Sequence, residues 1–279
     1  MTGTGLAWVA PANEDQLKAW DTAKGVFWAD NADLFEHSLQ RYDDWLLRAA
    51  GIRDGDSVLD VGCGTGSTTR AAAWLAGSGT ALGVDLSSPM ITVAARRARD
   101  TGAANASYLQ ADAQVHGFEP ETFDVLLSRT GCTYFGDPVA AFGNLARALK
   151  PGGRVALLAW QAPLRNPWFT ETVTALGAGR TLQAPSPNAP SPFAFADPAR
   201  VAEILTLAGF AMPECEPIKE SLHWGPDAAT AERLIVGTLG RSFDGDALSG
   251  LRTTIAAHAS GEGVVFPSAA WLITTHKPA

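Results

Sequence analysis

Cysteine is scarce in this chain. Cys63, Cys132 and Cys215 are the only three in 279 residues, too few and too scattered for a disulfide framework. Charge is also thin, at 18% of residues, and basic charge is the thinner kind: 21 Lys and Arg stand against 29 Asp and Glu, a formal net charge of −8. An acidic surface repels nucleic-acid backbones and anionic membranes, and no basic cluster is denser than Arg96, Arg97 and Arg99. No stretch approaches the roughly 18 unbroken apolar residues of a membrane span. Met1 to Gln16 lacks the basic and apolar regions of a secretion signal. The expectation is a reduced, cytoplasmic protein with neither nucleic acid nor membrane insertion among its partners. Hydrophobic residues make up 46% of the chain, enough for a large core.

Apolar and charged residues recur at helical spacing over 12–49, with Leu34, Leu39, Trp45, Leu46 and Leu47 on the periodic positions and Trp20, Phe27 and Trp28 ahead of them. From residue 57 short apolar segments alternate with amphipathic ones. Strands are expected over 57–61, 80–85, 107–111, 123–128 and 154–160, with helices over 67–76, 89–100 and 138–149. Such alternation predicts βαβ units on a parallel sheet with helices on both faces. Pro151-Gly152-Gly153 reads as a break before the fifth strand. The Pro-rich stretch 183–198 reads as a semi-extended loop, either a lid or a surface linker. Asp197-Pro198 then opens a helix that Gly209 stops. A strand near 214–222, helical segments near 228–240 and 246–258, and a strand near 270–275 complete the reading. Residues 1–50 are thus expected to form a helical cap and 51–279 the core, with a helical insertion at about 226–262.

The chemistry concentrates at the ends of the predicted strands. Val58-Leu59-Asp60-Val61-Gly62-Cys63-Gly64-Thr65-Gly66 runs a strand into a glycine-rich turn and then a helix. Glycines there let the backbone fold tightly and approach a ligand, and the helix presents free N–H groups to it. Asp85 ends the second strand, where a carboxylate accepts from ribose hydroxyls. Asp112 ends the third and is placed to accept from an exocyclic amine such as adenine N6. Each acid could equally serve as a helix N-cap. A nicotinamide fingerprint needs its third glycine one residue later than Gly66, and Asp60 would set a negative charge beside a pyrophosphate. A ligand carrying a cationic amino group suits that charge better.

These segments resemble the class I S-adenosylmethionine (SAM)-dependent methyltransferases, of the broad type that includes the ubiquinone and menaquinone enzymes. Val58–Gly66 resembles the first motif, Asp85 the ribose acid, Leu86-Ser87-Ser88-Pro89-Met90 the stretch flanking adenine, and Gln110-Ala111-Asp112-Ala113 the adenine-edge motif. Phe123-Asp124-Val125-Leu126-Leu127-Ser128-Arg129 resembles the fourth-strand motif, and Leu149-Lys150-Pro151-Gly152-Gly153 the loop before strand five. The resemblance implies a doubly wound α/β fold with a seven-stranded, mostly parallel sheet of order 3-2-1-4-5-7-6. It implies SAM as cofactor and S-adenosylhomocysteine (SAH) as product. The cofactor-binding residues it implies are Asp60, Gly62, Cys63, Gly64 and Gly66 from the turn, Asp85, Leu86 and Met90 from the second strand onward, and Asp112, Ala113, Ser128 and Arg129 from the next two. Trp28 is expected either to face the sulfonium or to pack between helix and sheet.

Methyl transfer needs alignment more than acid–base help, because the donor is already activated. His37, Tyr134 and His223 are the candidate bases, and each has a structural role as its alternative. The five histidines form no i,i+4 pair and no Cys-x-x-Cys exists, so no metal is expected. The expected acceptor is a small, hydrophobic molecule, a secondary metabolite or quinone-like compound. An NAD(P)-dependent oxidoreductase and a non-catalytic SAM-binding partner protein are the alternatives.

Overall fold

A computed structural model describes residues 8–177, 189–240 and 242–279. Residues 12–49 do not make one helix. They break into α1 (Glu14–Trp20), α2 (Ala23–Asp30) and α3 (Ala32–Ala50). The breaks fall where a side chain takes a backbone partner: the Asp21 carboxylate accepts from the distant Ser88 N–H at 2.6 Å, and the Asn31 amide turns back to donate to the Phe27 carbonyl at 2.8 Å. Phe35, Leu39, Tyr42, Leu46 and Ala50 give α3 a buried stripe at spacings of three and four.

The core alternates as its sequence pattern predicts: β1 (Ser57–Val61), α4 (Ser67–Ala76), β2 (Thr80–Asp85), α5 (Ser88–Thr101), β3 (Ala106–Gln110), β4 (Phe123–Arg129), α6 (Pro138–Ala148) and β5 (Leu149–Trp160). Then follow α7 (Pro167–Gly177), α8 (Pro198–Leu207), β6 (Glu214–Gly225), α9 (Ala228–Leu239), α10 (Gly245–Ala257), β7 (Ala259–Ser260) and β8 (Gly263–His276). The sheet order is β3-β2-β1-β4-β5-β8-β6, with β1 to β5 parallel and β8 antiparallel to both of its neighbours. The path is the expected one. The count is eight rather than seven, because the two-residue β7 pairs with the start of β8.

Two strands run longer than their sequence suggests. β5 starts at Leu149, because Leu149 pairs with Phe123 and the backbone at Gly152 and Gly153 bonds Lys277. The proline and glycines therefore form an irregularity within the strand instead of a break before it. β8 starts at Gly263, because its whole length pairs with β6. Of the Pro-rich stretch, 183–188 lies outside the described residues; the remainder places Phe193 and Phe195 in the core.

Strand alternation sends Val58, Val125, Leu127, Ala156 and Leu158 to one face, against α3 and α4. Leu59, Val61, Leu126, Val155 and Leu157 go to the other, against α6 and α8. No helix among the described residues is long and apolar enough to cross a membrane.

The carboxyl ends of β1 and β4 converge with no side chain between them. A Cβ on Gly131 would sit 2.6 Å from the Gly62 Cα, and one on Gly62 would meet the Gly131 Cα at the same distance. The Ser128 hydroxyl donates to the Val61 carbonyl at 2.7 Å and accepts from the Cys132 N–H at 3.0 Å, which locks the approach. Gly131→Ala forces two backbones apart, and overpacking of this kind costs roughly 1–3 kcal/mol. Its urea midpoint should fall accordingly, and an unchanged midpoint would show that the strand ends adjust freely.

Candidate active site

A cavity opens at the carboxyl edge of the parallel strands and is walled on its other side by the N-terminal helices. Its floor is the turn after β1. Gly62, Gly64 and Gly66 have φ of 68°, 54° and 83°, a left-handed backbone that only glycine adopts without strain. Gly62 N–H donates to the Val84 carbonyl at 2.8 Å, which ties the turn to β2.

Asp85 stands beside that turn. One oxygen accepts from the Gly64 N–H and the other from the Ser87 N–H, both at 2.9 Å. Each oxygen keeps a lone pair for a further donor. Burial pushes the carboxyl up from its ordinary value to about 6, against the pull of the two N–H groups. Leu86 and Met90 continue the same wall, and the Ser87 hydroxyl caps α5 by accepting from the Met90 N–H.

Asp60 is fully buried below the turn and is not part of the cavity wall. One of its oxygens accepts from the Thr68 and Thr69 hydroxyls at 2.6 and 2.7 Å, while the other has no partner. Burial raises its pKa, and the orphan oxygen leaves the carboxylate one donor short. Gly66 and Ser128 also lie outside the wall; they shape it from behind. Cys63 is in the wall, and burial, with the nearby Asp85 and Asp60 charges, pushes its thiol well above the ordinary value. It is no nucleophile at neutral pH.

Asp112 and Ala113 form the wall at the end of β3. The Asp112 carboxylate accepts from the Gln114 N–H at 2.9 Å, from the Ala10 N–H at 3.0 Å, and from the Asn13 amide at 2.9 and 3.0 Å. Arg129, at the end of β4, donates to Asp43 of α3 at 2.6 Å and to the Ser67 hydroxyl at 2.9 Å. Beside it Thr130 holds φ of 64°, an unusual strain for a β-branched residue at the cavity wall.

Aromatic rings line the side facing the N-terminal helices. Trp28 stacks on Phe35 at 3.8 Å and meets Trp20 edge-on at 5.8 Å; Trp20 in turn meets Tyr134 at 5.4 Å. The Lys24 ammonium lies 3.9 Å above the Trp20 ring, and burial lowers its pKa to about 8. Glu36 of α3 fastens this cap to the turn: it accepts from the Thr65 hydroxyl at 2.7 Å and pairs with Arg70 at 3.0 Å and Arg97 at 2.9 Å.

The three candidate bases separate. Tyr134 is in the cavity wall, and burial pushes its phenol far above the ordinary range, so it stands there as a neutral hydroxyl. His37 and His223 meet each other edge-on at 4.6 Å and contribute nothing to the wall. Trp160, Trp168 and Phe169, which follow strand five in sequence, pack with Phe193 and Trp224 in the core instead of lining the cavity mouth. Sequence reasoning missed Asn13, Glu36 and Thr130. All three sit in the wall, but the cap residues lie far along the chain from the motifs they meet, and no local pattern marks them. Among the described residues no group of three or more His, Cys, Asp or Glu is placed to hold a metal ion.

The residues fit SAM on two counts: a turn that brings Gly62 and Gly64, bare of side chains, into the cavity wall, and a strand-end carboxylate with acceptor capacity to spare. Residues 58–153 match a family model described as a methyltransferase domain. Over 225 residues the chain is 29% identical to nocamycin O-methyltransferase of Saccharothrix syringae, covering 76% of this chain and 77% of that protein. It is 32% identical over 138 residues to the ubiquinone/menaquinone biosynthesis C-methyltransferase UbiE of Pasteurella multocida, covering 48% of this chain and 52% of that one. The match thus spans about half the length of the UbiE relative. Among solved structures, the YcgJ protein of Bacillus subtilis superposes with a TM-score of 0.58 at 23% identity, covering 87% of this chain and 99% of that one. Phosphoethanolamine N-methyltransferase 2 of Haemonchus contortus, solved with S-adenosyl-L-methionine, gives 0.59 at 21% identity, covering 97% of this chain and 61% of that one. Those two likenesses concern the fold; the matched methyltransferase domain and the sequence relatives support a class I SAM-dependent methyltransferase.

Proposed function

We propose that the protein transfers a methyl group from SAM to a small hydrophobic molecule by in-line displacement, without a metal. The observation that carries this reading is the continuity of one cavity. Its floor holds the glycine turn and Asp85, and its opposite wall is built of Trp20, Trp28, Phe35, Leu39 and Phe135. A polar cofactor end thus opens onto an apolar, aromatic chamber that suits an uncharged acceptor.

SAM held at the glycine turn and Asp85 would supply a methyl carbon activated by its sulfonium, the sulfur keeping the electron pair of the bond that is lost. The chain's part is to hold and align. Asp85 receives the ribose hydroxyls, and Leu86 and Met90 flank the base. Trp28 and the rings around it exclude water and offer π faces to positive charge. Tyr134, kept neutral by burial, donates or accepts a hydrogen bond to orient the acceptor. A proton released by the acceptor leaves to solvent, since neither His37 nor His223 reaches the chamber. Orientation alone supplies about 7–11 kcal/mol of barrier lowering. The nocamycin and quinone relatives are named for oxygen and carbon acceptors on small molecules, which supports the same acceptor class here.

Calorimetry with SAH and with NAD, followed by a screen of phenols and quinols for methylated mass, tests the reading. Heat with SAH and a methylated product are expected. Tight NAD binding without heat from SAH would instead mark an oxidoreductase, and SAH binding with no product across acceptors a binding protein. A chelator should leave turnover unchanged; activity lost to it and restored by magnesium would end the metal-free reading.

Asp85→Ala should weaken SAH binding at least about tenfold, because hydrogen bonds to charged groups contribute roughly 1.5–3 kcal/mol each. Only the ionised carboxylate accepts from both ribose hydroxyls. With its pKa at about 6 in the free protein, affinity should be flat above pH 7 and fall below pH 6 as Asp85 takes up a proton. Calorimetric titration from pH 5 to 8 reads this directly, and a flat profile would remove Asp85 from the ribose site.

A further inference from the structure

Asn13 is a buried asparagine, 2% exposed, at the end of the short turn Pro11–Asn13. Every polar atom of its side chain is engaged. The amide nitrogen donates to both Asp112 oxygens and to the Gln114 side-chain oxygen at 3.1 Å, and the amide oxygen accepts from the Gly136 N–H at 2.7 Å. Gln114 extends the network by accepting from the Asp137 N–H at 3.1 Å. Three stretches distant in sequence are thereby joined: residues 10–13, the end of β3, and the loop before α6.

The node of the network is Asp112, in the wall of the cavity that holds the cofactor in the function proposed above, on which this inference rests. A carboxylate offers about four lone-pair sites. Gln114, Ala10 and Asn13 already point N–H groups at both oxygens. All four sites are thus spent on the chain itself, so Asp112 serves the cofactor by fixing this segment. Asn13 and Asp112 share the cavity wall, so the N-terminal segment forms the end of the chamber at β3. We propose that Asn13 is a positioning residue of the cofactor site: by bonding Asp112 it locks residues 10–13 over the adenine end of the cavity and sets how fast cofactor leaves.

Hydrogen bonds to an ionised acceptor are among the strongest neutral side chains make. Asn13→Ala removes them and leaves the segment tethered by the Ala10 N–H. Stopped-flow release of SAH should then accelerate by about tenfold or more. Glu14→Ala, an exposed change one residue on, should release SAH at the parent rate. Unchanged release from Asn13→Ala would overturn the proposal, as would equal acceleration by both variants. Failure of the parent protein to bind SAH would instead overturn the cofactor reading itself and take this inference with it. If the variant does not fold, hydrogen exchange on the parent protein decides between the same outcomes. Added SAH should protect the amides of residues 10 and 13; protection confined to Gly64 and its neighbours would show that the segment stands apart from the cofactor.

Discussion

Everything at this site hangs from the close approach of two backbones. Gly62 and Gly131 touch where β1 and β4 end, and a methyl group on either would separate them. Because they touch, the turn after β1 stays close enough to β2 for Gly62 and Cys63 to donate to the Val84 carbonyl. Asp85, one residue further on, then reaches the Gly64 N–H. On the opposite side, the same approach fixes the turn Gly131–Tyr134, and with it Tyr134 and the Trp20 ring that meets it edge-on. A steric allowance of one atom thus places the polar floor and an aromatic wall relative to each other.

The core was legible because its signals are local. A strand running into closely spaced glycines, an acid at each strand end and short apolar segments between amphipathic ones all declare themselves within a few residues, and the strands β1 to β5 follow from them, while their order in the sheet is what the family resemblance implies. Breaks in the cap were not legible, because Asp21 and Asn31 end their helices through partners that the periodicity does not contain. The start of β5 was hidden for a similar reason: Pro151-Gly152-Gly153 reads as a break, yet Lys277, just past the end of β8, bonds Gly152 and Gly153.

Site residues divide along the same line. Asp85, Asp112 and Arg129 at the strand ends, Cys63 on the glycine turn and Met90 in α5 reach one cavity, whereas Asp60 and Ser128 spend their polar atoms on the scaffold beneath it. Asp60 was expected to face a cationic group directly. Its threonine partners instead bind it to the first turn of α4, which leaves a single oxygen uncommitted. His37 and His223 illustrate the converse, two residues of suitable chemistry that the fold brings to each other and away from the chamber.

The cap is wired to the core through Glu36, whose carboxylate takes the Thr65 hydroxyl on the glycine turn together with Arg70 of α4 and Arg97 of α5. Two acids of α3 thus serve two arginines of the core beneath it, Glu36 pairing with both and Asp33 with Arg97 alone. An exchange of caps between related chains, made to graft a new acceptor chamber, would strand both guanidiniums unless an acid arrives at the same turn of the incoming helix. Acceptor choice can diversify by repainting the rings on these helices, but the helix that carries them is held to a single docking register.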